Sequence, residues 1–355
     1  MTQTIWSRSI LHLDMDAFYV NVHILDHPAD AGVPLVVGGK PDSRGVVSSA
    51  SYEARKLGIR SAMPTSRALR LCPQLRIVPT NWSQIRECSH QVMTILHTYG
   101  PVEQISVDEA YIDLSERAEP ENLAAEIQTA VFTQTHLPCS VGLSTSKLVA
   151  KVASDHEKPR GCTIVPPGTE AAFLAPLSTR VIWGIGPHTA ERLAEISITN
   201  CGQLAKADSH QLRAIFGKHG PAMVQRAKGI DKRSVHAERS PSKSISQEWT
   251  FNRDVADESV LAQQLQKMCA SIATSLQKKE LTAHTVYVKF RWPDFTTFTR
   301  QRSVTVGIDN EEEILRLAHV IWQDNWQAGQ ALRLLGVGVS NLETAVVRQL
   351  SFDFV

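Results

Sequence analysis

Apolar residues along this chain come in two rhythms, short β-like runs and longer stretches at helical spacing. Residues 10–13 (Ile10, Leu11, Leu13) read as a buried strand, and Phe18, Val22 and Leu25 give residues 17–26 a helical face. Two short strands follow, 34–38 and 45–49, with a polar turn from Gly39 to Arg44 between them, as in a hairpin with a long loop. Ser51 is placed to cap a short helix that begins Tyr52-Glu53-Ala54-Arg55. Another short helix over 65–71 stops at Cys72-Pro73, and a long one over about 82–99 stops at Gly100-Pro101. The pattern then predicts a hairpin over 103–114, a helix over 121–136, a strand over 139–143 and a helix over 146–157. With residues 34–100 left out, the order is β-α-β-β-α-β, the ferredoxin-like arrangement. That frame makes 10–13 and 103–114 neighbours in one sheet.

From about residue 177 the pattern turns helical. Val181 to Pro187 precedes a helix from Thr189 to Ile196, with a second at about 200–207 and others across 209–229. Gly184 and Gly186 lie in the turn of this helix-hairpin-helix, where exposed backbone N–H groups beside a helix start suit a phosphate. Residues 234–243 read as an exposed linker. Beyond it the chain repeats the first order: β 243–253, α 257–281, β 284–292, β 297–305, α 310–327, β 331–340. The hairpin of this second βαββαβ unit carries Lys289, Arg291, Arg300 and Arg302 among Thr296, Thr297 and Thr299. A sheet face with basic and hydroxyl side chains suits a duplex backbone.

Composition sharpens this picture in a few places. A length of 355 residues points to about two to four domains. Hydrophobic content of 43% and charge of 21% are ordinary for a globular protein. No apolar run approaches the roughly 20 residues that span a bilayer. The start Met1 to Trp6 lacks the basic end and apolar core of a signal peptide, so a cytoplasmic protein is expected. Six cysteines (72, 88, 139, 162, 201, 269) are scattered without zinc spacing and read as reduced thiols. The net charge of +1 gives no sign of a nucleic-acid partner by itself. Residues 169–239, however, hold 10 Lys/Arg against 6 Asp/Glu, which supports phosphate contact there; 240–355 hold 12 against 13, which does not help.

The chemistry centres on Val107-Asp108-Glu109-Ala110-Tyr111-Ile112-Asp113. Neighbours on a regular strand point to opposite faces, but a tight turn can aim Asp108 and Glu109 at one point. Alone, the pair reads as a solvated turn. Asp14-Met15-Asp16, at the end of the strand 10–13, supplies opposing carboxylates. Asp14, Asp108 and Glu109 on one sheet edge suit two Mg²⁺ ions about 4 Å apart, which could stabilise an in-line phosphoryl displacement. Asp16 reads as structural. Tyr52 and Arg55 share a helix face, and Lys147, Lys151 and Lys158 follow the strand 139–143. Beside an acidic centre these cations suit a triphosphate clamp.

Those stretches together resemble the Y-family (translesion) DNA polymerases of the bacterial DNA polymerase IV type. Leu13 to Tyr19 is similar to the first metal motif, Ala50 to Ile59 to the fingers motif, and Ser106 to Asp113 to the second metal motif. Ser144 to Gly161 resembles the segment closing the palm, Gly184-Ile185-Gly186 the thumb hairpin, and Leu334 to Ser340 the end of the little finger. The resemblance implies an α+β fold with a ferredoxin-like palm (1–33 and 81–168), small fingers (34–80) and a helix-hairpin-helix thumb (169–233). It further implies a linker (234–243), a little finger (244–341) and a tail (342–355).

The same resemblance implies roles for single residues. Asp14, Asp108 and Glu109, with the Met15 carbonyl, would bind two Mg²⁺. Phe18, Tyr19, Ser49, Tyr52, Arg55 and Lys158 would hold the incoming triphosphate, and Tyr19 falls where the family places its steric gate against a ribose 2′-OH. Gly184, Gly186, Lys289, Arg291, Arg300 and Arg302 would contact DNA. The tail Gln349, Leu350, Phe352 and Phe354 resembles the peptide by which bacterial polymerases bind the sliding clamp. The expected partners are primer-template DNA, dNTPs and the clamp, with the protein a monomer without membrane contact. Low fidelity is expected, since no proofreading domain fits. His23 stands where the family usually has Glu, which is expected to alter support around the site. Two other readings use the same residues: a palm-type nucleotide cyclase, and a DNA- and clamp-binding protein with impaired catalysis.

Overall fold

The computed structural model describes residues 5–238 and 241–345. Strand β1 (Ile10–Met15) is buried at every position and passes into helix α1 (Phe18–Asp26) through Ala17. Ala17 adopts a left-handed conformation at φ 42°, uncommon for a residue with a Cβ, and with Asp16 it makes the sharp corner that follows the strand. β2 (Leu35–Gly38) and β3 (Val47–Ala50) pair antiparallel, as expected for a hairpin. The Ser51 side chain then accepts from the Ala54 N–H and caps α2 (Tyr52–Lys56). After α3 (Thr65–Leu71), the short β4 (Arg76–Val78) adds parallel to β2. α4 (Trp82–His97) starts on an Asn81 cap and leads to β5 (Val102–Gln104) and β6 (Glu109–Asp113). α5 (Pro120–Thr135), β7 (Cys139–Ser144), α6 (Lys147–His156) and β8 (Cys162–Ile164) follow.

The main sheet has the order β5-β6-β1-β7-β8. Its first four strands have the ferredoxin-like order, and β8 extends it parallel to β7. β1 lies between β6 and β7, antiparallel to both, with Asp14 opposite Glu109. Leu11, Leu13, Ile112 and Leu143 pack with residues of α4 and α5 such as Val92, Leu96, Ile127 and Val131 in one core. On β7, a Cβ at Gly142 would meet the Ala150 carbonyl at 2.2 Å and the Ser154 nitrogen at 2.3 Å. Glycine there lets the α6 backbone rest on the sheet, which brings the lysines of α6 and its following turn towards the β1 edge.

The expected helical region forms as α7 (Glu170–Leu174), α8 (Pro187–Glu195), α9 (Cys201–Lys206), α10 (Ser209–Phe216) and α11 (His219–Ala227). Leu193, Leu204, Leu212 and Val224 form its core. Residues 234–238 are exposed apart from the half-buried Val235, in keeping with the expected exposed linker, and its first residues dock on the first sheet. Asp231 accepts from the Leu148 N–H at 3.1 Å, His236 N–H donates to Glu103 at 2.7 Å, and Val235 packs by Ile10, Tyr111 and Ala150. The apolar Val235 and the otherwise unpaired strap backbone account for this docking.

The described residues through 238 form one compact unit, apart from the Pro41–Arg44 loop, which groups with the second unit of residues 241–345. That second unit contains β9 (Ser244–Val255), α12 (Glu258–Lys278), β10 (Leu281–Arg291), β11 (Thr297–Ile308), α13 (Glu311–Asn325) and β12 (Leu332–Thr344). Its element string matches the first βαββαβ, but its sheet order, β11-β10-β12-β9, does not. Phe290, Val288 and Val337 face α12 and α13 in a single core.

Register corrects one expectation here. Val288 pairs with Arg300 and Val286 with Arg302, whereas Lys289 pairs with Thr299 and Arg291 with Thr297. Cross-strand partners share a face. Arg300 and Arg302 therefore stand on the helix side of edge strand β11, and the four basic residues do not form one surface. Arg302 pairs with Asp324 of α13 at 2.8 Å, and Arg300 lies over the Phe298 ring at 4.9 Å. Lys289, on the open face, pairs with Glu248 at 2.7 Å. Beside it a Cβ at Gly338 would meet the Tyr287 ring at 2.2 Å, so glycine lets that ring lie flat on the sheet.

The six cysteines are free, five of them buried. Burial pushes the thiols of Cys88, Cys139 and Cys162 up, that of Cys201 to about 11 and that of Cys269 to about 12. Among the described residues, no helix is long and apolar enough to cross a membrane.

Candidate active site

Two strand ends meet where the acidic residues lie. Glu109 opens β6 directly opposite Asp14 of β1, and Asp108 sits in the turn just before. Ser106 builds that turn: its hydroxyl oxygen accepts from the Asp108 and Glu109 N–H groups at 3.2 and 3.0 Å and donates to the Asp108 carboxylate. The Met15 N–H donates to the Asp108 carbonyl at 3.0 Å. The strand alternation is thus broken at Asp108, as the sequence pattern suggested.

Cationic side chains occupy the carboxylates. Lys158 Nζ lies 2.7 Å from Asp14 and 2.8 Å from Asp155, and Lys151 Nζ lies 2.8 Å from Glu109. Burial pushes the Asp14 carboxyl up to about 7 in spite of the Lys158 ammonium, and the neighbouring Glu109 adds to the rise. The His12 imidazole, 3.8 Å away, and then Lys151 hold Glu109 well below the usual carboxylate range. His12 is itself fully buried, its Nδ1 2.7 Å from the Ser154 hydroxyl, and burial lowers its pKa.

Hard oxygen donors with two ammonium groups standing on them fit divalent cations. Among the described residues no three Asp, Glu, His or Cys side chains are already gathered for a metal, and Asp14 and Glu109 each hold an ammonium.

Asp16 is 1% exposed and structural, as expected. Its carboxylate accepts from the Tyr52 hydroxyl at 3.0 Å, the Ser140 hydroxyl at 2.9 Å and the Arg160 N–H at 2.8 Å. Burial and the Asp16 charge push the Tyr52 phenol well up, so it stays a donor. The Arg55 guanidinium lies over the Tyr52 ring at 4.6 Å, and its Nε donates to the Ala50 carbonyl at 3.0 Å.

A cavity of about 160 Å³ opens beside the carboxylates. Asp14, Met15 and Asp108 line one side of it; Phe18, Tyr19, Ser49, Tyr52, Arg55 and Lys158 line the rest. Ala17, Ser48 and Ser61 also reach it and were missing from the sequence reading. Ala17 and Ser61 lie in turns and Ser48 on the short strand β3, where a small side chain carries no signal that could have marked it.

Some expected residues lie elsewhere. Lys147 is 4% exposed, 2.6 Å from Glu103 and 4.7 Å above the Tyr111 ring, so it belongs to the hairpin rather than to a phosphate clamp. Lys151 reaches Glu109 instead of the cavity. His23 bonds the buried Asp30 at 2.8 Å, and Asp30 also pairs with Arg76. Gly184 has φ 94° and Gly186 precedes α8, in a turn lining a cleft of about 810 Å³ with Lys151 and His156. Gln349, Leu350, Phe352 and Phe354 lie outside the described residues.

The impB/mucB/samB family model matches residues 13–155, and the model of that family's C-terminal domain matches residues 242–352. The chain belongs to the impB/mucB/samB family. DNA polymerase IV of Methanoculleus marisnigri is 40% identical over 99% of both chains. DNA polymerase IV of Bacillus anthracis is 37% identical over 98% of this chain and 86% of its own length. A solved Y-family DNA polymerase chimera, Dbh-Dpo4(243-245)-Dbh, covers 94% of this chain and 98% of its own, with 25% identity and a TM-score of 0.83. The family gives the chain its activity, DNA-directed DNA synthesis of the translesion type by metal-dependent nucleotidyl transfer. A nucleotide cyclase is thereby set aside.

Asp14 is expected to ligate the metal as a carboxylate, and burial pushes its carboxyl up to about 7. Affinity for a divalent cation must therefore fall as pH falls through that value. Mn²⁺ titrations followed by electron paramagnetic resonance should show roughly tenfold weaker binding at pH 6 than at pH 8. Equal affinity at the two pH values would contradict the assignment of Asp14.

Proposed function

We propose that Asp14, Asp108 and Glu109, with the Met15 carbonyl, hold two Mg²⁺ ions, and that the adjoining cavity takes the triphosphate of an incoming dNTP. The observation that carries this reading is the single cavity joining the carboxylates to Tyr52, Arg55 and Lys158. The ions would supply a Lewis acid for the α-phosphate and for the primer 3′-OH, which attacks it and releases pyrophosphate. Lys158 and Arg55 place positive charge where the non-reacting phosphates would lie, and Ser49 offers a hydroxyl beside them. Tyr52, its hydroxyl fixed on Asp16, keeps the Arg55 guanidinium stacked at the cavity wall. Phe18 and Tyr19 close the side where the sugar would sit, and Tyr19 would exclude a 2′-OH.

The proposed palm is residues 1–33 and 81–168, the fingers 34–80, the thumb 169–233 and the little finger 244–341, with 234–243 as linker and 342–355 as tail. Primer-template DNA would meet the thumb at Gly184 and Gly186 and the little finger at its open face. We place the protein in the cytoplasm, where its reduced thiols fit. It would act as a single chain. In the tail, Gln349 with Leu350, Phe352 and Phe354 offers a polar anchor and spaced apolar side chains for a clamp groove.

Primer extension with Mg²⁺ and dNTPs tests the centre. Asp108→Ala should lower extension by roughly a thousandfold or more while DNA binding by fluorescence anisotropy stays within about twofold; normal extension would sink the metal assignment. A wild-type chain that binds DNA without extending it would favour the reading of impaired catalysis. On the little finger, Lys289→Ala with Arg291→Ala should reduce the salt dependence of DNA binding by about one unit of slope per side chain. Arg300→Ala with Arg302→Ala should change it less, and equal losses would show that the open face is not the contact surface. A chain ending at Ala345 should keep basal extension and lose stimulation by a sliding clamp; stimulation that survives the truncation would exclude the tail.

A further inference from the structure

Tyr19 stands between two cavities. On one side is the cavity of about 160 Å³ shared with Tyr52 and Lys158. On the other is a cavity of about 370 Å³, lined among others by Val22, His23, Val37, Val78 and Ile85. A ring with open space behind it is a poor wall by itself, because rotation about χ1 can carry it backwards. The gate must therefore be held from the side.

Two aromatic rings flank it. Phe18 lies 5.9 Å away and is buried in the main core. Trp82 meets Tyr19 edge to face, with ring centroids 5.6 Å apart and planes at 71°. Trp82 is 50% exposed, so core packing does not account for its place. It is the first residue of α4, whose Asn81 cap accepts from the Gln84 N–H. The Gln84 side chain in turn donates to Asp26 of α1 at 2.6 Å, which ties the start of α4 to the helix that carries Tyr19. The tryptophan is thus fixed relative to the tyrosine by a link between their two helices.

We propose that Trp82 is a positioning residue for sugar selection. It holds the Tyr19 ring forward against the nucleotide cavity and keeps it from retreating into the larger space behind. The inference rests on the reading of Tyr19 as the steric gate. It makes sugar discrimination a property of a pair of rings, one that touches the nucleotide and one that does not.

Single-nucleotide incorporation kinetics with rNTPs and dNTPs test it. Tyr19→Ala should admit rNTPs freely. Trp82→Ala should raise the rNTP-to-dNTP ratio of kcat/KM by roughly threefold to tenfold, with dNTP incorporation changed by less than about twofold. Trp82→Phe, which keeps an aromatic edge, should stay close to wild type. In the Tyr19→Ala background Trp82→Ala should add nothing, since the ring it positions is gone. An unchanged ratio in Trp82→Ala, or the same increment with and without Tyr19, would overturn the role of Trp82. An unchanged ratio in Tyr19→Ala would instead overturn the gate itself. If circular dichroism shows that Trp82→Ala does not fold, Trp82→Leu, which keeps apolar bulk without a ring, carries the comparison.

Discussion

A carboxylate buried just beyond the end of the central strand governs how the cavity beside Asp14 is built. Asp16 is almost wholly removed from water, and an ionised group in that position costs several kcal/mol unless its oxygens are satisfied. Its donors come from three separate places: the Tyr52 hydroxyl on α2, the Ser140 hydroxyl on β7 and the backbone N–H of Arg160. Arg160 lies two residues after Lys158. One acceptor therefore holds together the helix that carries Arg55, the main sheet, and the turn that carries Lys158. The requirement is local, but its result is that Arg55 and Lys158 have fixed positions relative to Asp14.

The acidic edge and the basic groups around it form a balanced set. Asp14 and Glu109 face each other across a strand pair, which by itself would be repulsive. Lys158 and Lys151 offset that repulsion, one for each carboxylate. The second unit shows what the same string of elements does with a different strand order. In the first sheet the strand that opens the unit is central and brings its end beside a turn. In the second, the last strand is central, and Gly336 and Gly338 on it leave an open face on which Lys289 and Tyr287 can lie.

Much of this was legible in the sequence, and the exceptions have physical reasons. Long helices and the cap at Ser51 were plain, because helical periodicity and capping chemistry are local. β4 and β8, three residues each, have too few positions for a period and exist only because a neighbouring strand accepts them. The proposed metal and phosphate residues came from pairing distant acidic motifs and from resemblance, and one cavity gathers nearly all of them. Lys147 was misplaced because a helix face shared with Lys151 does not say which carboxylate each will meet; Glu103 lies on a different strand from Glu109. The faces of Arg300 and Arg302 were open to reasoning. A five-residue loop, 292–296, pairs odd positions with odd and even with even, so neither can share a side with Lys289. Tyr19 carries no local signal that marks a gate; that expectation came from the resemblance, and the residue lines two cavities.

The buried thiols bear on the conditions such an enzyme meets. Translesion synthesis is called for when electrophiles and oxidants have modified DNA bases, and those same reagents attack thiolates far faster than thiols. With Cys88, Cys139, Cys162, Cys201 and Cys269 held protonated by burial, the folded chain presents little of the reactive form to them. The copying machinery is thus chemically quieter than the template it copies. A cysteine introduced on its surface would accordingly be the favoured target for a reporter group, with the native thiols left in place.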